Sequence, residues 1–88
     1  MKPMHCSLIT PQKTLYDGEV WQIGISNVPE GGFSIRTGHA PVIRSLLDAT
    51  IEVAVTQSDR SRYEVENGVL ELSDNRCSIV CSSAELLK

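Results

Sequence analysis

Five residues with chemical potential fall close together in the run Glu30-Gly31-Gly32-Phe33-Ser34-Ile35-Arg36-Thr37-Gly38-His39-Ala40-Pro41. A glycine pair cradles phosphate when a helix start follows and supplies the positive end of its dipole. No helix start follows Gly31-Gly32, so the pair reads as a turn. His39 has the side chain of a general base, with an unperturbed pKa near ~6.5. Gly38 and Pro41 shape the backbone around it, which favours a loop-locking or interface histidine. The chain has no Gly-x-x-x-x-Gly-Lys-Ser/Thr loop for nucleotide phosphates. No nucleophile with its base is evident either.

The remaining candidates are thiols. His5-Cys6 are adjacent and point to opposite faces of a strand. Cys77 and Cys81 point the same way but lie about 13 Å apart along a strand. A zinc ion with sulfur ligands at ~2.3 Å cannot bridge that span, so both read as small core residues. Three cysteines without an export signal argue against a disulfide framework. No catalytic, cofactor or metal site is expected.

The elements that must position these residues are strands. Glycines and Pro41 bracket Phe33 to Ile35 as turn, short strand and second turn. Cys6 to Thr10 is a strand ended by Pro11. Thr14 to Asp17 leads through Gly18 into a longer strand, Glu19 to Ile25, with Trp21, Ile23 and Ile25 on one face. Ile51, Val53 and Val55 alternate with Glu52, Ala54 and Thr56, the period of a half-buried strand.

Asn67-Gly68 is a strong two-residue hairpin signal. It pairs Tyr63 with Leu72 and Val65 with Leu70. Asp74-Asn75 makes a second such turn, pairing Leu72 with Cys77 and Leu70 with Ile79. Tyr63, Val65, Leu70, Leu72, Cys77, Ile79 and Cys81 then form one apolar face, as one-sided burial requires. Ser82 stands three residues before Glu85, the spacing of a helix capping box, so at most a short helical turn is expected at the C-terminus. The whole reads as an all-β sandwich or flattened barrel, one domain over 1–88.

The 88 residues carry 11 acids against 8 bases, a net charge of −3, with the bases scattered. Nucleic-acid binding needs clustered Lys and Arg, so nucleic acid is not an expected partner. No apolar run approaches the ~18 residues of a membrane span, and no signal peptide opens the chain. A cytosolic-side protein is expected, with membrane association only through a partner.

The glycine-histidine run resembles the epsilon subunit of F-type ATP synthases, whose pattern is Glu-Gly-x-Phe/Leu-Gly-Ile/Val-Leu-x-Gly-His-x-Pro-Leu. Leu8-Ile9-Thr10-Pro11, Leu15 to Val20, and Asn67 to Asn75 resemble other segments of that family in the same order. The resemblance covers about Met4 to Ala84. It implies a β-sandwich of about ten strands, consistent with the many short strands. It implies a non-catalytic rotor subunit of the central stalk, without cofactor, joining the gamma subunit to the membrane c ring. That coupling would sit peripherally on the cytoplasmic face of the bacterial membrane and link ion flux to ATP synthesis or hydrolysis. Rigid, close-packed sandwiches suit such mechanical transmission.

By the same resemblance, Glu30, Gly31 and Gly32 face the c ring, with His39 nearby. Glu30 can offer a charge-assisted hydrogen bond there, and the glycines permit close approach. Arg36 stands where the family has an apolar residue and is expected to mark a changed gamma or c contact. Ser34 replaces a usual Gly, and Leu47-Asp48-Ala49 replaces a usual Lys-Pro-Gly turn. The family's C-terminal helical hairpin, which can inhibit hydrolysis or bind ATP, is not expected here. The alternative is a free-standing β-sandwich that binds a peptide or ligand at a sheet edge.

Overall fold

The computed structural model describes residues 3–87. Seven strands carry the chain: β1 Met4–Ile9, β2 Thr14–Val20, β3 Gln22–Ser26, β4 Phe33–Arg36, β5 Val42–Ala54, β6 Arg60–Ser73 and β7 Arg76–Leu86. They form one sheet in the order β2-β1-β7-β6-β5-β3-β4. Neighbours are antiparallel except β1 and β7, which run parallel.

What folds this sheet over itself is a switch in side-chain alternation at one level of its three long strands. In β6 the buried side is Tyr63 and Val65, then Gly68, Leu70 and Leu72. In β5 it passes from Leu46 to Ala49, Ile51 and Val53. In β7 it passes from Cys77, Ile79 and Cys81 to the half-buried Ala84. A strand alternates strictly, so burying both parities requires a bend. The bend falls at the row Leu47, Asn67 and Ser82, where pairing lapses and then resumes in unchanged register. Asn67 takes φ 52° there, a conformation that Asn tolerates better than most residues.

Two layers result. One holds β2, β1, and the segments 76–81, 68–73 and 42–46. The other holds the segments 83–86, 60–66 and 48–54, then β3 and β4. A single apolar cluster between them draws on every strand, including Leu8, Val20, Ile23, Ile35, Ile51, Val65 and Ile79. Burying that apolar surface is the main force closing the fold.

The structure corrects several expectations. Among the described residues there are seven strands, fewer than the about ten expected, because each long strand serves both layers. Asn67-Gly68 is not a hairpin turn. A type I′ turn needs positive φ at both central residues, and Gly68 lacks it. Tyr63 and Val65 therefore pair with Leu86 and Ala84 rather than Leu72 and Leu70. Tyr63, Val65, Leu70 and Leu72 all remain in the core. Leu47-Asp48-Ala49 is the bend of β5, not a turn between strands.

The C-terminal stretch from Ser82 is strand, not helix. Its backbone is claimed by Tyr63 to Glu66 of β6, and Ser82 Oγ donates to the Glu66 carbonyl at 3.0 Å. The strand expected over Glu19 to Ile25 breaks at Trp21, where the chain crosses from β1's layer to β4's. Trp21 N–H donates to the Ala54 carbonyl at 2.7 Å across that step. The Asp74-Asn75 turn stands as expected, with φ 57° and 61° and Leu72 opposite Cys77.

Candidate functional site

Residues Asn27 to Gly32 link β3 to β4 as a stiff loop. Gly31 donates its N–H to the Val28 carbonyl at 3.0 Å and sits at φ +94°. A Cβ on Gly32 would lie 2.9 Å from the Ile25 carbonyl oxygen, so the loop folds against β3 only with glycine there. Asn27 Nδ2 donates to Thr50 Oγ1 at 2.7 Å, satisfying a buried hydroxyl on β5.

Glu30 projects from this loop towards the start of β5. Arg44 Nη1 donates to its Oε1 at 2.9 Å, and the Arg44 guanidinium lies 4.8 Å from the Phe33 ring centroid. Arg44 thus ties the loop and β4 to the opposite layer. The ion pair is exposed, and such pairs contribute only ~0–1 kcal/mol. Its effect is to aim the Glu30 carboxylate, with one oxygen still free to accept.

The structure does not bring all five sequence-derived residues together. Glu30, Gly31 and Gly32 precede β4, whereas Arg36 ends it and His39 lies in the next turn. Arg36 Nε donates to Gln22 Oε1 at 2.7 Å, and its guanidinium lies 4.5 Å from the Trp21 ring centroid. Arg60 approaches the same indole at 5.8 Å and pairs with Glu52 at 2.8 Å. The charge on Arg36 thus has an intramolecular use. His39 is exposed. Its N–H donates to the Arg36 carbonyl, and its Nδ1 lies 2.7 Å from the Ala40 carbonyl. Gly38 N–H donates to Asn75 Oδ1 at 2.8 Å, fastening this loop to the β6–β7 turn.

The two outer faces differ in character. On β1's layer, Ile43, Leu47, Val69 and Val80 are exposed, Ile43 by 68% and Leu47 by 74%. Val69 lies opposite Val80 and Ser45, and Val80 lies opposite Ile9. Ser7, Ser45 and Ser78 share this outer face, and so do Glu71, opposite Ile43, and Asp17, opposite Ser7. On β4's layer the outward positions include Asp48, Glu52, Glu64, Glu66 and Glu85, with Asp48 facing Glu66 and Glu64 facing Glu85. The hairpin expected at Asn67-Gly68 hides this face, because it puts Val69 opposite Glu66 rather than between Ser45 and Val80. The signal available was the adjacent pair Leu46-Leu47, of which only one can face the core.

The thiols sit apart from these surfaces. Cys6, Cys77 and Cys81 are free and buried. Cys6 lies opposite Cys77 on the parallel strands, a neighbour relation that sequence spacing does not reveal. The Cys6 thiol is raised well above its ordinary value, first by its hydrogen bond to Cys77 and then by burial. No group of three or more potential metal ligands occurs among the described residues.

The described residues thus build a bent β-sandwich with a glycine loop, an aimed carboxylate and one apolar outer face. Known proteins share the sandwich. The family described as "ATP synthase, Delta/Epsilon chain, beta-sandwich domain" matches residues 3–87, and the chain belongs to it. An ATP synthase epsilon chain from Chlorobium limicola is 28% identical over 79 residues, covering 90% of this chain and 89% of that one. A Bradyrhizobium epsilon chain is 31% identical over 88 residues, all of this chain and 64% of that one. One from Leptospira borgpetersenii is 32% identical over 83 residues, 94% of this chain and 64% of that one. Against these longer relatives the chain spans about two thirds of their length.

A chain in the solved Euglena gracilis mitochondrial ATP synthase (OSCP/F1/c-ring) has the same fold. Its TM-score is 0.85 at 20% identity, with 97% of this chain and 54% of that chain covered. A chain of the Tetrahymena thermophila mitochondrial ATP synthase central stalk and c-ring gives a TM-score of 0.78 at 16% identity, covering 96% and 66%.

Proposed function

We propose that this domain is a non-catalytic central-stalk subunit of an ion-translocating ATP synthase, coupling the gamma subunit to the c ring. The observation that carries the reading is the pairing of a stiff glycine loop that presents Glu30 with a separate apolar outer face. A coupling element needs two docking surfaces on one rigid body, and a bent sheet with a shared core supplies it. In this reading Glu30, Gly31 and Gly32 meet the polar loops of the c ring. Glu30 accepts a charge-assisted hydrogen bond there, and the glycines let the backbones approach.

Ile43, Leu47, Val69 and Val80 meet gamma. An exposed apolar cluster of this kind marks a protein contact rather than a solvated face. Arg36, at the end of β4, marks a changed gamma or c contact, and His39, in the turn that follows, lies near the ring-facing loop. The domain works peripherally, at the cytoplasmic face of the bacterial membrane. No helix among the described residues is long and apolar enough to cross a membrane.

Co-purification with the cognate gamma subunit and c ring tests this. A stoichiometric complex is expected, lost with Leu47→Glu or Val69→Lys while the domain stays folded. Glu30→Ala should release the ring and keep gamma. Unchanged gamma affinity of Arg36→Leu would remove Arg36 from the interface. A folded monomer indifferent to gamma would overturn the assignment and favour a free-standing binding module.

A further inference from the structure

The facing thiols of Cys6 and Cys77 have no part in the docking surfaces. They sit in register on β1 and β7, the parallel pair of the sheet, and both are buried. This pairing alone fastens β1 and its edge neighbour β2 to the rest of the sheet. In-register positions on neighbouring strands lie about 4.8 Å apart, inside the about 4.4–6.8 Å Cα span of a disulfide. Side chains on parallel neighbours stand side by side, so their Cβ atoms keep a similar spacing, wider than the about 3.8 Å of a relaxed bond.

We infer that Cys6 and Cys77 form a reversible intramolecular disulfide when the folded chain meets a low-molecular-weight disulfide oxidant, clamping the β1–β2 edge to β7. One thiolate of the pair attacks the oxidant's S–S bond, expels one small thiolate and leaves a mixed disulfide. The second protein thiolate then attacks the protein sulfur of that mixed disulfide and expels the other small thiolate. Two protein thiols lose two protons and two electrons, and the oxidant gains both electrons to become two thiols. Burial makes the first attack wait for β1 to open from β7, because structural thiols are inert while covered.

The bond then forms under strain, which makes it readily reducible and suits a reversible clamp rather than a permanent staple. Cys81 cannot substitute. It lies about 13 Å along β7 from Cys77, and its thiol is directed at the Ile9 carbonyl, 3.8 Å away.

The test is oxidised glutathione applied to the full chain, followed by thiol counting and peptide mapping. The three free thiols should fall to one, with Cys6 joined to Cys77, and reduced glutathione should restore all of them. Cys81→Ser should still form the link, and Cys77→Val should abolish it. The inference is overturned if Cys81 is found in the bond, or if a stable glutathione adduct accumulates at Cys6 or Cys77. It is also overturned if all three thiols survive in the folded chain under conditions that oxidise it in denaturant.

Discussion

The Arg36 guanidinium lies 4.5 Å from the centroid of the Trp21 ring, at the point where the chain steps from one layer to the other. Trp21 is the only tryptophan, so the tryptophan emission comes from this site. A cation over a half-buried indole such as Trp21 contributes about 0.5–1 kcal/mol. Arg36→Leu should therefore cost about that much in urea unfolding and change the emission of Trp21 in the folded state. Arg60, at 5.8 Å, is the weaker neighbour, and Arg60→Leu should perturb the emission less. Equal spectra for wild type and Arg36→Leu would mean that the stack is not maintained in solution.

Gly31 and Gly32 are adjacent but serve different constraints, and substitution should separate them. Gly31 has open space around a potential Cβ and a φ of +94°. Gly31→Ala should carry only the backbone penalty, about 1 kcal/mol. At Gly32 a Cβ would press on the Ile25 carbonyl at 2.9 Å, so the loop must lift from β3. Gly32→Ala should displace Glu30 from Arg44 and weaken c-ring binding out of proportion to its loss of stability. Chemical denaturation and ring binding on both variants check this. The same ratio of the two effects in both would show that the loop is not held by that contact.

How far the sequence could be read is clearest at two turn-like dipeptides. Asp74-Asn75 and Asn67-Gly68 carry the same hairpin signal, and only the first reverses the chain. The apolar positions 63, 65, 68, 70 and 72 do change parity at Asn67. A hairpin and a bend in one continuous strand both explain that change. The bend prevails because it lets β6 pair along its whole length with β5 on one side and β7 on the other. The deciding information is that Leu47 and Ser82 switch parity at the same level, and this appears only once the three strands are aligned. Burial was legible where alternation holds, as at Ile51 and Val53. At the end of β5, Ala54 is buried and Val55 is exposed, against the expected alternation. The partners of the strands were not legible, and so the Cys6–Cys77 neighbours and the apolar face at Ile43 and Val69 escaped notice. Glu30 was visible as a candidate, but not Arg44, which aims it from a strand in the other layer.

Asn67 then becomes a sensitive position. Its φ of 52° is easy for Gly and costly for a β-branched residue. Asn67→Gly should leave the unfolding midpoint nearly unchanged. Asn67→Val should cost about 1–3 kcal/mol, although valine suits strands in general. Urea unfolding of both variants decides this. A stabilising effect of valine would mean that the bend can be made without a left-handed residue at 67.

Alkaline pH should weaken the fold through groups that burial keeps protonated. Cys81 is raised above the ordinary thiol value of 9.0 by burial. Tyr63, in the core, is raised above 10.0 by burial and then by nearby Cys6. Both groups are neutral when protonated, so the folded state holds its protons to higher pH than the unfolded chain. Where the folded state binds more protons, stability falls as pH rises. The contribution of these groups is complete below 9.0 and is lost progressively above it, first through the thiols and then through the phenol. Urea midpoints measured from neutrality to about pH 11 should therefore stay level before declining. Tyr63→Phe, which keeps the ring in the core and removes the titrating hydroxyl, should flatten the later part of that decline. Cys81→Ala should lessen the earlier part, leaving the share of Cys6, whose thiol is also raised. A decline that began below the thiol range, or that both variants left unaltered, would place the alkaline sensitivity elsewhere in the sheet.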